Sequence, residues 1–231
     1  MNLAIVGHGK MGRLIEQLAP EYGFDVKLRL DVNNNARFEG MTAENFRGVD
    51  VAIEFSTPET APENIERLAR LGVSAVVGTT GWFVHLERMR EIVAREKTAL
   101  VWSSNFSVGV NIFSQIVGEA ARMMARQPEY GAWAWEIHHA TKKDAPSGTL
   151  LALIEKMKQS GYGKPIDVSS SRSGAHPGTH EIGFDSGADT ITIRHTARSR
   201  EGFARGALRA ARWLHGKKGF FDFRDIVNEL E

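Results

Sequence analysis

The chain has 231 residues, 42% of them hydrophobic and 25% charged, with a net charge of +1 and no cysteine. That length holds one large or two small domains. The balanced charge gives no reason to expect a nucleic-acid or membrane partner, and the missing thiols exclude disulfides, thiolate metal sites and cysteine nucleophiles. No basic stretch and long apolar run open the chain, and no apolar run reaches membrane-spanning length, so a soluble cytoplasmic protein is expected.

Asn2 to Val6 reads as a buried parallel strand. It runs into Gly7, His8, Gly9, Lys10, Met11 and Gly12, and then into a helix with Leu14, Ile15 and Leu18 on its apolar face. This is G-x-G-x-x-G between a strand and a helix, the context in which the motif binds a dinucleotide. The first glycine allows the tight turn, the second lets backbone approach a pyrophosphate, and the third lets helix and strand pack closely. Val26 to Leu30 is the next strand and ends in Asp31. An acid there is placed to accept hydrogen bonds from ribose hydroxyls and to repel a 2′-phosphate. It reads equally as a turn residue, since Asn33, Asn34 and Asn35 follow.

Further strands are expected at Val49–Phe55, Ser74–Val77 and Thr98–Trp102, with helices at Ala61–Leu71 and Leu86–Ala94. The loops leaving these strands are Ser56-Thr57-Pro58, then Gly78, Thr79, Thr80 and Gly81, then Ser103, Ser104, Asn105, Phe106 and Ser107. Such loops, at the carboxyl ends of parallel strands, are where an α/β sheet holds its ligand. Phe106 reads either as core or as a ring packed on a nicotinamide. The position of its loop favours the cofactor. The alternation predicts a Rossmann-type domain.

Val108–Met124 reads as a long apolar helix leading into a second unit. Ala132–His138 alternates as a strand, with Trp133, Trp135 and Ile137 on one side and Ala134, Glu136 and His138 on the other. His138 is expected to leave it on a polar face. Then comes E-I-H-H-A-T-K-K-D-A-P-S-G-T, Glu136 to Thr149. Leu150, Leu151, Leu153, Ile154 and Met157 mark a helix opened by Ser147-Gly148-Thr149, with Ser147 or Thr149 near its N-cap. Free N–H groups and a partial positive charge at that helix start make an anion site. With Lys142, His138 and His139 just upstream, the cluster suits a substrate that carries carboxylates and must be protonated. No metal site is expected, because His138 and His139 are adjacent on a strand exit and point apart. Strands at Val168–Arg172, Glu181–Phe184 and Thr190–His195 suggest a mixed or antiparallel sheet. Phe203–Leu214 reads as a helix, and Phe220–Leu230 as a docked tail.

With those residues in view, the chain resembles the dihydrodipicolinate reductases of lysine and diaminopimelate synthesis. The resemblance covers nearly the whole length. Its most specific piece is H-H-x-x-K-x-D-A-P-S-G-T, joined by G-T-T-G at 78–81 and S-N-F-S-V-G-V-N at 104–111. R-S-G-x-x-x-G-x-H at 172–180 and H-x-A-x-S-R-x-x-F-A-x-G at 195–206 complete the set. The resemblance implies His138 as proton donor/acceptor and Lys142 as proton donor, with a dicarboxylate substrate held by His139, Ser147, Gly148 and Thr149. It implies NADH or NADPH bound along Gly7–Gly12, Asp31, Gly78–Thr80 and Ser103–Phe106. It also implies a homotetramer and a discontinuous first domain.

The expected fold is therefore α/β: a parallel-sheet dinucleotide domain of residues 1–107 and 206–231, and a smaller α+β substrate and tetramerisation domain of residues 108–205 with an open mixed sheet. Two departures stand out: the glycine loop is one residue shorter between its first two glycines than in relatives, and the region from Asp31 to Val49 is compressed. Another two-domain NAD(P)-dependent reductase of a small carboxylate, or a non-catalytic NADH-sensing module, would share the glycine loop. Neither accounts for the histidine–lysine cluster.

Overall fold

The computed structural model describes residues 1–230. The chain forms two compact units, Met1–Val108 together with the chain from Glu201 onward, and Gly109–Arg200. In chain order the first unit supplies β1 (Asn2–Val6), α1 (Lys10–Leu18), β2 (Asp25–Leu30), β3 (Val51–Glu54), α2 (Ala61–Arg70), β4 (Ser74–Val77), α3 (Leu86–Arg95) and β5 (Ala99–Trp102). Then come α4 (Val108–Met124), β6 (Gly131–His138), α5 (Gly148–Gln159), β7 (Ile166–Arg172), β8 (Thr179–Asp185) and β9 (Thr190–Thr196). The chain returns through α6 (Glu201–Leu214), β10 (Gly219–Asp222) and α7 (Phe223–Ile226). No described helix is long and apolar enough to cross a membrane.

The first unit is a six-stranded sheet in the order β10-β5-β4-β3-β1-β2, parallel throughout. Its central strands are apolar on both faces because helices cover both. Ala4, Val6, Ala52, Ala75, Val77 and Leu100 share one core with Ile65 and Leu68 of α2 and Met89, Ile92 and Val93 of α3. Alternation turns Leu3, Ile5, Ile53 and Val76 to the opposite face. On the remaining side α1 packs against α6, which lies on β3, β4 and β5. The chain leaves β1 in one direction for β2 and returns on its other side for β3. That reversal opens a crevice at the carboxyl ends of β1 and β3.

The second unit is a four-stranded sheet, β7-β6-β8-β9, with β6 and β7 parallel and the other pairs antiparallel. Phe113, Val117 and Ala121 of α4 and Leu150, Leu153 and Met157 of α5 pack on Ala132, Ala134, Ile182 and Phe184.

Three expectations are corrected here. The chain re-enters the first unit at Glu201 rather than at residue 206, because α6 is one continuous helix with Ala204, Gly206 and Ala207 all buried. The face of β6 that carries Glu136 and His138 is the buried one, and the tryptophan face is half-buried. Small residues at 132 and 134 let the helices approach; indoles there would hold them off. Phe220 and Phe221 belong to an edge strand paired with β5, not merely to a docked tail.

Phe106 is 2% exposed. Its ring centroid lies 4.8 Å from that of Phe223 and 6.3 Å from that of Phe55. The ring lies in the core of the first unit, the other of its two readings. Phe106→Ala is expected to cost about 3–5 kcal/mol of stability, read by urea unfolding; a ring used only for cofactor contact would leave the transition in place.

Candidate active site

The first unit's candidate residues gather at the carboxyl edge of its sheet. Gly7 has φ +96°, and a Cβ there would sit 2.0 Å from the Phe55 carbonyl oxygen. Gly12 packs so tightly that its Cβ would meet the Gly7 carbonyl oxygen at 2.4 Å. Nothing lies within 4 Å of the corresponding point on Gly9. Helix α1 starts after Gly9 with no side-chain cap and no acid in its first turn. Backbone donors and the helix dipole are left for an anion, and these residues fit a dinucleotide's pyrophosphate. Lys10 is exposed and Met11 half-buried beside that opening. His8 Nε2 is 2.6 Å from Glu16 Oε2, and Arg29 Nε donates to Glu16 Oε1 at 2.6 Å. Arg29, then His8, holds the Glu16 carboxyl below its ordinary value.

Asp31 Oδ1 accepts from Asn33 N at 2.8 Å, and Asn34 Oδ1 accepts from Asp31 N at 2.8 Å. Asp31 thus organises the turn, as one of its two readings expects. A carboxylate has further lone pairs for other donors.

Two more exit loops are tied together by a residue that the sequence reading passed over. Glu54, fully buried at the end of β3, accepts through Oε1 from Ser56 N at 3.1 Å and Asn64 Nδ2 at 3.3 Å, and from the Ser56 hydroxyl. Burial pushes its carboxyl up. Ser56 N also donates to Thr79 Oγ1 at 2.8 Å, and the Thr79 carbonyl accepts from the Trp82 indole at 2.8 Å. Gly78 lies against the Phe55 ring, and Thr80 is exposed. In the last loop Ser103 Oγ accepts from Asn105 N at 3.0 Å, and Asn105 Oδ1 accepts from Ser107 N at 2.9 Å; Ser104 is exposed.

The second unit's cluster is built on Glu136. Its side chain is fully buried, and Oε1 accepts from Ser147 N at 2.8 Å, Arg172 Nη2 at 2.8 Å and Ser170 Oγ at 3.0 Å. Burial pushes the carboxyl up, but the hydrogen bonds from Ser147, Arg172 and Ser170 together outweigh it and bring it down to about 2. On the other oxygen, Oε2, converge His138 Nδ1 at 3.4 Å and His180 Nε2 at 3.5 Å. The ligand-type atoms of Glu136, His138 and His180 lie within 4.8 Å of one another. The Arg172 guanidinium already neutralises that carboxylate, which disfavours a metal cation.

Ser147 is the N-cap of α5, with Oγ accepting from Leu150 N at 3.2 Å. Thr149 is not the cap; it lies half-buried in the first turn, behind exposed Gly148. Ser147 is 2% exposed and spends its groups on Leu150, Glu136 and His180. Its N-cap reading is the one seen in the structure. His138 is 9% exposed. Burial lowers its ring below the ordinary value against the pull of Glu136. His139 Nδ1 is 2.8 Å from Thr141 Oγ1. Lys142 Nζ donates to both carboxylate oxygens of Asp144, at 2.7 and 2.9 Å. Arg172 Nη2 also donates to the Asp144 carbonyl, tying this loop to β7. Glu136, Arg172 and His180 had no assigned role in the sequence, although all three fall inside its motifs.

An uncapped helix start on a parallel sheet, and a histidine–lysine loop beside a helix start on a second sheet, fit a two-domain nicotinamide-dependent oxidoreductase. Residues 1–106 match the family profile "Dihydrodipicolinate reductase, N-terminus", and residues 109–227 match "Dihydrodipicolinate reductase, C-terminus". The chain belongs to the dihydrodipicolinate reductase family. It is 36% identical to 4-hydroxy-tetrahydrodipicolinate reductase of Christiangramia forsetii, with 100% of this chain and 99% of that protein covered. Identity to the enzyme of that name from Archaeoglobus fulgidus is 36%, covering 98% and 100%. The fold is shared with a dipicolinate-bound dihydrodipicolinate reductase from Paenisporosarcina sp. TG-14, at a TM-score of 0.79, 20% identity, and coverage of 100% and 99%. The protein is an NAD(P)H-dependent oxidoreductase.

Arg172→Ala leaves a buried carboxylate without its cation and is expected to destabilise the protein by about 3 kcal/mol at neutral pH. The folded carboxyl, held near 2 against an ordinary 4.5, gives stability that is present above pH 4.5 and lost as pH falls toward 2. Removing Arg172 raises the folded value, so acid unfolding should begin at a higher pH, followed by circular dichroism.

Proposed function

We propose that the chain reduces 4-hydroxy-tetrahydrodipicolinate to tetrahydrodipicolinate with NADH or NADPH, in the synthesis of lysine and diaminopimelate in the cytoplasm. The observation that carries this is full-length identity of 36% to reductases of that name. The geometry of the second unit supports it. When bound, the reduced nicotinamide supplies a hydride; the substrate takes up that hydride and one proton and loses water. Lys142 and His138 are the proton-handling groups. An ammonium beside the ring offsets the electron density that arrives on it. Asp144 holds the Lys142 ammonium by both oxygens, which limits its wandering. The first turn of α5, at Gly148 and Thr149, with His139, holds a substrate carboxylate.

On the first unit the uncapped start of α1 takes the pyrophosphate. Asp31 takes the adenosine ribose, and the loops at Gly78–Thr80 and Ser103–Asn105 line the nicotinamide end. Loss of NADH absorbance on adding the condensation product of pyruvate and aspartate semialdehyde tests the activity; no loss with NADH or NADPH would refute it.

Because Lys142 and the glycine loop lie in different units, Lys142→Ala should lower kcat roughly a hundredfold and leave the NADH Kd nearly unchanged. Stopped-flow turnover and fluorescence titration separate the two.

The assembly we propose is a homotetramer built on the half-buried face of the second sheet. That face carries Trp133, Trp135 and Ile137, with the Arg194 guanidinium 5.9 Å from the Trp135 ring. Aromatic and arginine side chains are the residues enriched where proteins meet. Trp135→Glu should give smaller particles by light scattering with an unchanged circular dichroism spectrum.

A further inference from the structure

We propose that Glu136 is a positioning residue: it holds the His138 imidazole with its proton on Nδ1, so that Nε2 is the nitrogen that exchanges a proton with substrate. This rests on the role given to His138 in the proposed reaction.

The argument starts from two buried atoms. Glu136 Oε2 and His138 Nδ1 are both sealed from solvent, and neither makes a hydrogen bond among the described residues. They face each other across 3.4 Å. A carboxylate oxygen can only accept. At that ion-pair distance a proton on Nδ1 turns a positive N–H toward the carboxylate, whereas a lone pair there would face an anion, and buried polar groups left without a favourable partner are costly.

The competing donor is His180. Its Nε2 is 3.5 Å from the same oxygen but 3.1 Å from Ser147 Oγ. Ser147 Oγ already accepts from Leu150 N, and the shorter of the two distances pairs His180 Nε2 with that hydroxyl rather than with Oε2. With His180 paired to Ser147, His138 Nδ1 is the nearer ring nitrogen to Oε2. Burial, and next the charge of His138, push His180 down to about 4, so it is neutral near pH 7.

The other nitrogen of His138, Nε2, lies beside Gly178. A side chain at Gly178 would place its Cβ 2.9 Å from Nε2, and glycine there, at φ +136°, leaves that edge uncovered. The charged and titratable groups around His138 are Glu136 on its own strand, Arg172 on β7, His180 on β8 with His195 of β9 beyond it, and Lys142 and Asp144 from the loop.

The test reads the tautomer directly by long-range ¹H–¹⁵N spectra of the histidines in the full chain without substrate. The wild type should show His138 with Nδ1 protonated at neutral pH. In Glu136→Gln the donors Ser147 N, Ser170 Oγ and Arg172 fix the amide oxygen at the Oε1 place, so the NH₂ faces Nδ1. His138 should then switch its proton to Nε2, and kcat should fall roughly a hundredfold or more with KM little changed. A purely structural Glu136 would leave the tautomer alone. A wild-type His138 carrying its proton on Nε2 overturns the proposal, and needs no variant to fold. An unswitched tautomer in a folded Glu136→Gln protein overturns it as well. Near-normal turnover in His138→Gln is a different failure: it removes His138 from the reaction and leaves the tautomer assignment intact.

Discussion

The buried carboxylate of Glu136 organises the second unit. A charge with no solvent exposure must be paid back in hydrogen bonds, and Glu136 collects three on one oxygen alone, from Ser147, Ser170 and Arg172. Those donors come from the start of α5 and from β7. One anion therefore fixes where a helix begins and ties a neighbouring strand to β6. His138, two residues along the same strand face, inherits that rigidity. A proton-handling group is useful only if its ring does not wander.

The first unit solves a different problem with less charge. Its ligand edge is made of backbone and hydroxyl groups, left unfilled by glycines and an uncapped helix. Glu54 plays the part there that Glu136 plays in the second unit, gathering Ser56 and Asn64 at the end of β3. The contrast is in the direction of the shift. Burial pushes Glu54 up, whereas Arg172 and its companions bring Glu136 down to about 2. The same residue type therefore serves as a brace in both sheets, with its carboxyl shifted up in one and down in the other.

Most of the architecture could be read from residues alone, because long apolar runs and clean alternation leave few choices. The glycine loop and the H-H-x-x-K-x-D-A-P-S-G-T stretch were visible as chemistry. What escaped was whatever depended on which face of a strand meets the helices. Tryptophans at 133 and 135 look like core beside alanines, yet the alanines face the helices. That inversion hid Glu136 as a buried group and left His180 and Arg172 without a role. Phe106 could be assigned to the interior only once Phe223, more than a hundred residues away, was known to lie beside it. The β10 strand is four residues long and sits at an edge, too short to show a period.

That edge strand has a consequence for synthesis. The parallel sheet begins at β1, but its outermost strand and the α6 helix that covers β3, β4 and β5 come from Glu201 onward. The unit at Gly109–Arg200 is contiguous and complete before then. Translation therefore delivers the whole of the Gly109–Arg200 unit while the nucleotide-binding unit still lacks a helix and a strand.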